Sequence, residues 1–214
     1  MAPAFQLCYI TDQRALKPKP LLPRVFEAVQ AGVDLIQIRE KDLPTRDLVA
    51  LVQAAAKYAS GTHTRIVVND RLDVALAVGA AGVHLGTQSL PPEFVRRCVP
   101  KDFLVGASCH SVDDALGAEA AGADYVLLGP IFPTPSKLPY GPPLGLETLR
   151  AAATRVKIPL LALGGINVER VKPCLEAGAT GVAGISIFQD CDSLEPRVRA
   201  MRNQFLGAGS RSKQ

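Results

Sequence analysis

Short apolar runs alternate with longer amphipathic stretches along nearly the whole chain. Strands that are apolar throughout are typical of parallel sheets, which are covered on both faces. Between these runs, apolar residues recur at helical spacing, as in Thr45–Tyr58, Val112–Ala120 and Val168–Ala177. Eight runs of four or five residues are predicted as buried β-strands: Leu7–Thr11, Leu35–Arg39, Arg65–Asn69, Gly82–Leu85, Leu104–Ser108, Tyr125–Leu128, Pro159–Leu163 and Gly181–Ile185.

A short phrase recurs where helical segments pass into strands. It reads Ala31-Gly-Val-Asp34, Ala81-Gly-Val-His84, Ala121-Gly-Ala-Asp124 and Ala177-Gly-Ala-Thr180. Each phrase predicts a left-handed glycine that ends a helix just before a strand. The four glycines are 50, 40 and 56 residues apart, so each interval holds two βα units of roughly 25 residues. Eight alternations favour a single (β/α)8 TIM barrel over a flavodoxin-like sheet, which needs only about five strands.

The length and composition agree with one barrel domain. The chain has 214 residues, of which 48% are hydrophobic, and TIM barrels begin near ~200 residues. We therefore expect one domain over residues 1–214, with the barrel at roughly 6–205 and a disordered tail at 206–214.

Charge and cysteine content narrow the class of protein. The net charge of +4 is small and the charged residues are interspersed, so no nucleic-acid surface is predicted. Five cysteines without CxxC spacing argue against a disulfide framework or a structural zinc site and favour a reducing compartment. No apolar run approaches the ~18 residues of a membrane span. We expect a soluble cytoplasmic protein with no membrane association.

Polar residues collect where seven of the eight predicted strands end, which is the catalytic end of a TIM barrel. Each serine or asparagine among them could instead cap a helix or a turn. The segments are Gln37-Ile-Arg-Glu-Lys41, Asn69-Asp-Arg71, His84-Leu-Gly86, Ser108-Cys-His110, Gly129–Lys137, Gly164-Gly165 and Gly184-Ile-Ser186.

The segment Gly129–Lys137 has the composition of a phosphate-binding loop. Thr134 and Ser136 can donate hydroxyl hydrogen bonds, and Lys137 is a compact cation that neutralises a phosphate oxygen. Prolines at 130, 133 and 135 reduce the entropy lost when the loop closes over a ligand. The alternative is a proline-rich surface turn with an incidental lysine.

Together these motifs resemble the thiamine phosphate synthase family and the related TenI-like thiazole tautomerases. The resemblance covers roughly residues 6–205 and rests on QIREK, VNDRLD, GVHLG, GASCHS, GADYVLLGPIFPTPSK, ALGGI and GIS. It implies a Mg²⁺-dependent transferase that joins 4-amino-2-methyl-5-(diphosphooxymethyl)pyrimidine, the pyrimidine diphosphate, to hydroxyethylthiazole phosphate. The products are thiamine monophosphate and diphosphate. The partners of the protein would be these two substrates, and the resemblance is compatible with a homo-oligomer.

The resemblance assigns roles around the diphosphate. Thr134, Ser136 and Lys137 would hold it, with Ser108 and Lys137 contributing to catalysis. Gln37, Arg39 and Lys41 would reach the same ligand, since alternate residues of a strand share one face. The alternative for Lys41 is a salt bridge with Glu40 or Asp42.

Other strand ends receive the metal, the pyrimidine and the second phosphate. Asn69 would bind the aminopyrimidine or a phosphate oxygen, Asp70 would bind Mg²⁺, and Asp73 would act as a helix cap or as a hydrogen-bond partner of the site. The thiazole phosphate would meet the backbone of Gly164 and Gly165 and the donors of Ile185 and Ser186. The alternative for the glycine pair is a tight turn without a ligand.

Two positions separate the candidate activities. Synthases of this family usually carry a second metal-binding aspartate in a G-Q-x-D pattern directly after HL. This chain reads Gly86-Thr-Gln-Ser89 there, so a serine stands at the aspartate position, as it does in some tautomerases. His110 is the proposed acid/base of tautomerases, with a helix cap as its alternative role. A transferase, a thiazole tautomerase and a non-catalytic regulatory paralogue therefore remain. The retained residues Asp70, Thr134, Ser136 and Lys137 favour the transferase.

Overall fold

The computed structural model describes residues 5–16, 18–134 and 142–208, which form a closed barrel of eight parallel strands. Each strand pairs with its sequence neighbours, and the last strand closes on the first. The predicted (β/α)8 TIM barrel is therefore confirmed. The strands are β1 Leu7–Ile10, β2 Leu35–Ile38, β3 Arg65–Asn69, β4 Gly82–Leu85, β5 Leu104–Cys109, β6 Tyr125–Leu128, β7 Leu160–Leu163 and β8 Gly181–Gly184.

Helices follow the strands and cover the outside of the barrel. None within the described ranges is both long and apolar enough to cross a membrane. The last helix includes residues 206–208 of the expected tail, and residues 209–214 lie outside the described residues. The helices are α1 Gln13–Leu16, α2 Leu21–Gln30, α3 Thr45–Ala59, α4 Leu72–Val78, α5 Pro92–Cys98, α6 Val112–Ala120, α7 Gly145–Arg155, α8 Val168–Glu176, α9 Ser186–Gln189 and α10 Leu194–Ala208.

Two apolar clusters lie on opposite faces of the strands. The larger one fills the space between strands and helices. The smaller one fills the inside of the barrel and includes Leu35, Val67, Tyr125 and Leu161. Because side chains alternate along a strand, the polar residues two positions beyond an inward apolar residue also point inward. This places Gln37, Asn69 and other strand-end residues inside the barrel mouth.

The predicted glycine caps are confirmed at three of the four recurring phrases. Gly32, Gly122 and Gly178 have φ angles of +80°, +90° and +94°. The prediction is wrong for Gly82, which lies within β4, while α4 ends at Gly79 with φ +65°. A Cβ on Gly82 would overlap the Leu104 carbonyl of the next strand. Glycine is needed there for close strand approach rather than for a left-handed turn.

The amino end of the barrel is fastened by two paired aspartates. Asp34 accepts hydrogen bonds from the backbone N–H of Leu7 at 2.8 Å and from Arg202 at 2.7 Å. Asp124 accepts from the backbone N–H of Val105 at 2.7 Å and from a guanidinium, that of Arg96. In these two copies of the recurring phrase, the final aspartate joins one strand start to the neighbouring strand and to a helix.

Candidate active site

Strand β2 delivers unpaired donors to the barrel mouth. Gln37 is buried, and its Nε2 has no hydrogen-bond partner within the described residues. Arg39 is anchored through its backbone N–H, which donates to Thr11 Oγ1 at 2.9 Å. No bond from its guanidinium to another described residue is formed. A buried amide without a partner is costly, so these groups suit a polar ligand.

Lys41 reaches the mouth by a different route from the one predicted. Strand β2 ends at Ile38, and Lys41 lies in a turn closed by the Leu43 N–H on the Glu40 carbonyl at 3.2 Å. Strand alternation therefore does not place Lys41 beside Gln37, and that part of the prediction is wrong. Lys41 is exposed and lines a pocket shared with the end of β3.

The alternative salt bridge of Lys41 is not formed among the described residues. Glu40 accepts hydrogen bonds from Thr11 Oγ1 at 2.6 Å and from the backbone N–H of Gln13 at 3.0 Å. Burial raises the pKa of Glu40, partly offset by these bonds. Asp42 pairs instead with Arg14 at 2.7 Å. The Lys41 ammonium is consequently available to a ligand.

Asn69 and Asp70 line this pocket, which has a volume of about 220 Å³, together with Glu40, Lys41 and Arg71. Asp70 has φ +66°, the only positive φ at a non-glycine among the described residues. Such a backbone costs of order 1–3 kcal/mol and is enriched at functional sites. Its N–H donates to the His84 carbonyl at 2.8 Å, and its side chain is exposed. The loop thus holds a carboxylate at the pocket edge.

Asp73, four residues beyond β3, belongs to the surface rather than to the pocket. Arg71 contacts it through two nitrogens, at 2.8 Å and 2.7 Å. This hydrogen bonding with Arg71 lowers the pKa of Asp73. The N-cap residue of α4 is Arg71, and Asp73 lies in the first turn of the helix.

Ser89 closes its own loop. Its Oγ accepts a hydrogen bond from the backbone N–H of Gly86 at 2.7 Å. No group of three or more His, Cys, Asp or Glu side chains that could hold a metal occurs in the described part of the chain. An oxygen-only site with one carboxylate remains compatible with Mg²⁺, which commonly binds one or two carboxylates plus substrate phosphates and water. Asp70 fits that requirement.

A buried polar chain crosses the barrel interior beneath Ser108. His84 Nε2 lies 2.9 Å from Ser108 Oγ, and His84 Nδ1 lies 3.1 Å from Tyr125 Oη. Burial, reinforced by the positive charge of Arg39, lowers the pKa of His84 to about 3. The imidazole is therefore neutral at physiological pH.

Gly106 leaves the space in which the His84 and Tyr125 side chains meet. It lies between His84 and Tyr125 in strand register, as the Cα partner of both. A Cβ on Gly106 would overlap the Tyr125 ring and come within 2.6 Å of His84 Nδ1. Sequence reasoning missed the roles of His84, Gly106 and Tyr125. The available signal was a histidine, a glycine and a tyrosine at inward positions of three successive strands.

His110 links the end of β5 to the loop after β6. Its ring Nδ1 lies 2.5 Å from the Gly129 carbonyl oxygen. Because a carbonyl only accepts, Nδ1 carries the hydrogen and Nε2 of the neutral ring is left as an acceptor. Helix α6 is capped by Ser111, whose Oγ accepts from the Asp114 N–H at 3.0 Å. The alternative prediction that the His110 ring caps this helix is wrong.

The loop after β7 turns its peptide carbonyls toward the β6 loop and α8. The Leu163 carbonyl accepts from the Ile131 N–H at 2.8 Å, the Gly164 carbonyl from the Phe132 N–H at 3.1 Å, and the Gly165 carbonyl from Arg170 at 2.5 Å. In a planar trans peptide the N–H points opposite to the C=O. The N–H groups of residues 164–166 therefore face the other side of the loop.

This geometry agrees with the predicted phosphate-binding backbone of Gly164 and Gly165. Their φ angles are +95° and +65°, which glycine adopts readily. The N–H groups of Gly165 and Ile166 donate to no other described residue. Ligand binding by this loop stays a prediction.

The predicted diphosphate loop is only partly within the described residues. Thr134 is half-buried, whereas Ser136 and Lys137 lie outside the described residues. The flanking chain is held at the mouth, since the Leu144 N–H donates to the Pro130 carbonyl at 2.8 Å. Arg170 also lies 4.7 Å above the Phe132 ring. The roles of Ser136 and Lys137 stay predictions from the sequence.

The last strand end has the predicted form. Helix α9 begins at Ser186 immediately after β8, and the Ile185 carbonyl accepts from the Phe188 N–H at 3.0 Å. Ser186 is exposed. Its contact with a ligand stays a prediction.

Fold and site together define a class of enzyme. A closed parallel barrel with unpaired donors, an exposed carboxylate and a glycine loop at the carboxyl ends of its strands is the architecture of TIM-barrel enzymes that act on phosphorylated substrates. The comparisons with known proteins narrow this class. The family model described as thiamine monophosphate synthase matches residues 7–188.

Known relatives agree over nearly the full length. A putative thiamine-phosphate synthase of Geobacter sulfurreducens is 43% identical over 198 residues, covering 92% of each chain. A thiamine-phosphate synthase of Roseiflexus sp. is 43% identical over 199 residues, covering 93% of this chain and 84% of the relative. The solved thiamine phosphate pyrophosphorylase of Pyrococcus furiosus has a TM-score of 0.86 at 36% identity, covering 96% of this chain and 97% of that chain. The chain belongs to the thiamine monophosphate synthase family.

Proposed function

We propose that the chain catalyses the thiamine-phosphate synthase reaction, joining the pyrimidine diphosphate to hydroxyethylthiazole phosphate with release of diphosphate. The observation that carries this proposal is the set of unpaired donors at the mouth of a barrel whose relatives, over nearly the full length, are named thiamine-phosphate synthases. Both substrates are anionic, and a mouth with free amide, guanidinium and ammonium groups suits them.

The diphosphate binds between β2, β3 and the loop after β6. Its leaving oxygen gains negative charge as the bond to the pyrimidine methylene breaks, and fixed donors stabilise that charge. Arg39 and Lys41 supply two cations that no described carboxylate neutralises through an ion pair. Thr134, Ser136 and Lys137 complete the diphosphate grip from the sequence motif.

Asp70 is the side chain that would hold Mg²⁺, beside Asn69 in the same pocket. When bound, the ion supplies positive charge to the diphosphate oxygens. Ser89 contributes no carboxylate, and its hydroxyl is engaged by Gly86. The chain's own part in this site is therefore one exposed carboxylate on a strained loop.

The thiazole phosphate binds at the opposite side of the mouth. The free N–H groups of Gly165 and Ile166 and the start of α9 at Ser186 offer backbone and hydroxyl donors there. Such donors bind phosphate without a formal positive charge.

All five cysteines are free, which supports a cytoplasmic location.

Thiazole tautomerisation is the second candidate activity, and one observation favours it. The hydrogen bond of His110 Nδ1 to Gly129 leaves Nε2 as a proton acceptor on an exposed ring. Such a group can move a ring proton.

The two activities are separated by one assay. The purified protein is incubated with both substrates, with and without Mg²⁺, and thiamine monophosphate is measured by chromatography. Coupling that requires Mg²⁺ is the expected result. Thiazole isomerisation without coupling would replace the transferase by an isomerase. Ligand binding without either reaction would indicate a non-catalytic paralogue.

A further inference from the structure

The buried chain of Tyr125, His84 and Ser108 has a restricted set of proton positions. Tyr125 Oη has His84 Nδ1 as its hydrogen-bond partner, and within the described residues no other polar atom is bonded to it. Burial raises the pKa of Tyr125 well above its ordinary value, so the phenol keeps its hydrogen. His84 is neutral and carries one N–H.

Two arrangements of that single N–H are available. With the hydrogen on Nδ1, the imidazole would donate to Tyr125, and the buried phenolic hydrogen would have no acceptor. With the hydrogen on Nε2, Tyr125 donates to Nδ1 and His84 donates to Ser108 Oγ. The second arrangement satisfies every donor of the buried pair, and buried donors without acceptors are strongly disfavoured.

The second arrangement has a consequence at the mouth. Ser108 Oγ already accepts from His84, so its own hydrogen points elsewhere. Ser108 is half-buried on the inward row of β5, next to the unpaired donors of the mouth. We propose that Tyr125 and His84 are positioning residues that fix Ser108 as a hydrogen-bond donor to the substrate, in support of the transferase function proposed above.

This assignment excludes a nucleophilic role for Ser108 and supports a role as a hydrogen-bond donor. A serine activated as a nucleophile needs a base that accepts its hydrogen, whereas the His84 nitrogen facing it carries one. A serine aimed at an anionic oxygen instead needs an orienting donor behind it, which His84 supplies. The expected target is the oxygen charge that develops as diphosphate departs.

The first test is spectroscopic and needs no substrate. The chain has three histidines, and ¹⁵N-labelled imidazoles report which nitrogen is protonated. The His84 signals are assigned by their loss in His84→Gln. We expect the Nε2–H form, because it gives an acceptor to every donor of the buried pair. A Nδ1–H form would overturn the arrangement.

The second test is kinetic and uses a double-mutant cycle. Tyr125→Phe removes only the hydroxyl and frees His84 Nε2 to accept from Ser108. We expect kcat for coupling to fall about tenfold with both KM values within about twofold. In Ser108→Ala the further change Tyr125→Phe should have no additional effect, since coupled residues are non-additive. Additive losses would assign Tyr125 a structural role and overturn the proposal.

A matched control is available inside the same protein. Tyr9 is also fully buried, but its Oη has no hydrogen-bond partner within the described residues, and its ring packs against Phe188 on the outer face of the barrel. Tyr9→Phe should leave kcat unchanged. If the parent protein did not couple the substrates, the proposed function would fail, while the imidazole spectra would still decide the proton arrangement.

Discussion

The two ends of the barrel use the same kinds of side chain for opposite purposes. At the amino end, Asp34 and Asp124 are each bonded to a strand N–H and to an arginine. At the carboxyl end, the Gln37 amide and the Arg39 guanidinium lack such partners within the described residues. A paired polar or charged side chain stabilises the fold, whereas an unpaired one is free to bind a ligand.

The energetic consequences differ accordingly. Removing one member of a paired, shielded set leaves the others without their partner, at a cost in folding free energy. Removing an unpaired group at the mouth removes nothing that the folded chain uses, so its cost appears in binding and catalysis. This contrast can be tested by substitutions at each end.

The largest effect is expected at Asp34. Asp34→Ala removes the acceptor of the Gln6 and Leu7 N–H groups and the carboxylate partner of Arg202, which keeps only its neutral acceptors on Gln6 and Gly32. This should lower the free energy of unfolding by about 3–5 kcal/mol. Urea unfolding measures this. Asp113→Ala is the control, since Asp113 is exposed and pairs with Arg155 only at 3.8 Å. Loss of activity without loss of stability in Asp34→Ala would contradict the contrast.

Arg39→Met should have the opposite effect, with loss of activity and little change in stability. The free energy of unfolding should stay within about 0.5 kcal/mol, while kcat/KM for coupling falls ~10²–10³-fold, about 2.7–4 kcal/mol, through loss of a cation at the leaving diphosphate. Arg14→Met is the matched control, because Arg14 lies at the same end but is paired with Asp42. Near-parental turnover by folded Arg39→Met protein would remove Arg39 from the site.

Asp70 and Asp73 sharpen the contrast within a single loop. Asp70→Asn should raise the half-saturating Mg²⁺ concentration at least about tenfold, since it removes the only carboxylate assigned to the ion. Asp73→Asn should leave that concentration unchanged, because Asp73 is paired with Arg71. Ser89→Asp should lower it. Activity that survives complete chelation of Mg²⁺ in the parent protein would contradict the metal role.

The smallest effect is expected at His110. If the chain is a synthase, His110→Ala should reduce coupling by less than about tenfold, or ~1.4 kcal/mol. If the chain is a tautomerase, the same change should reduce isomerisation ~10²–10⁴-fold, because it removes the acid/base. Both products are measured in both proteins. Isomerisation that is lost in the variant, with no coupling in either protein, would assign the isomerase.

The fold was predictable because it depends on local patterns. Strands β3, β4 and β6 begin and end where the sequence predicts, since each apolar run is bounded by polar residues or glycine. Gly82 was misassigned because the same residue type serves a helix end and a close strand contact. Lys41 was misplaced because alternation continues only as long as the strand, and β2 ends at Ile38.

The location of the site was predictable from the sequence, but the hydrogen bonds among its residues were not. Polar strand ends identified the mouth, Asp70 and the glycine loop. The chain from Tyr125 to His84 was missed because its two members are 41 positions apart and meet only through a glycine on the strand between them. Such a contact depends on barrel closure and register, which no local pattern contains.

Gly106 also constrains how this protein can evolve. Any larger residue there collides with Tyr125 and His84, and a smaller residue at either of those positions leaves a gap and a broken hydrogen bond. A single substitution at any one of the three positions therefore disturbs the packing or the hydrogen bond that the other two share. These positions on β4, β5 and β6 should be inherited as a unit, and a lineage that replaces one must pass through a poorly packed intermediate.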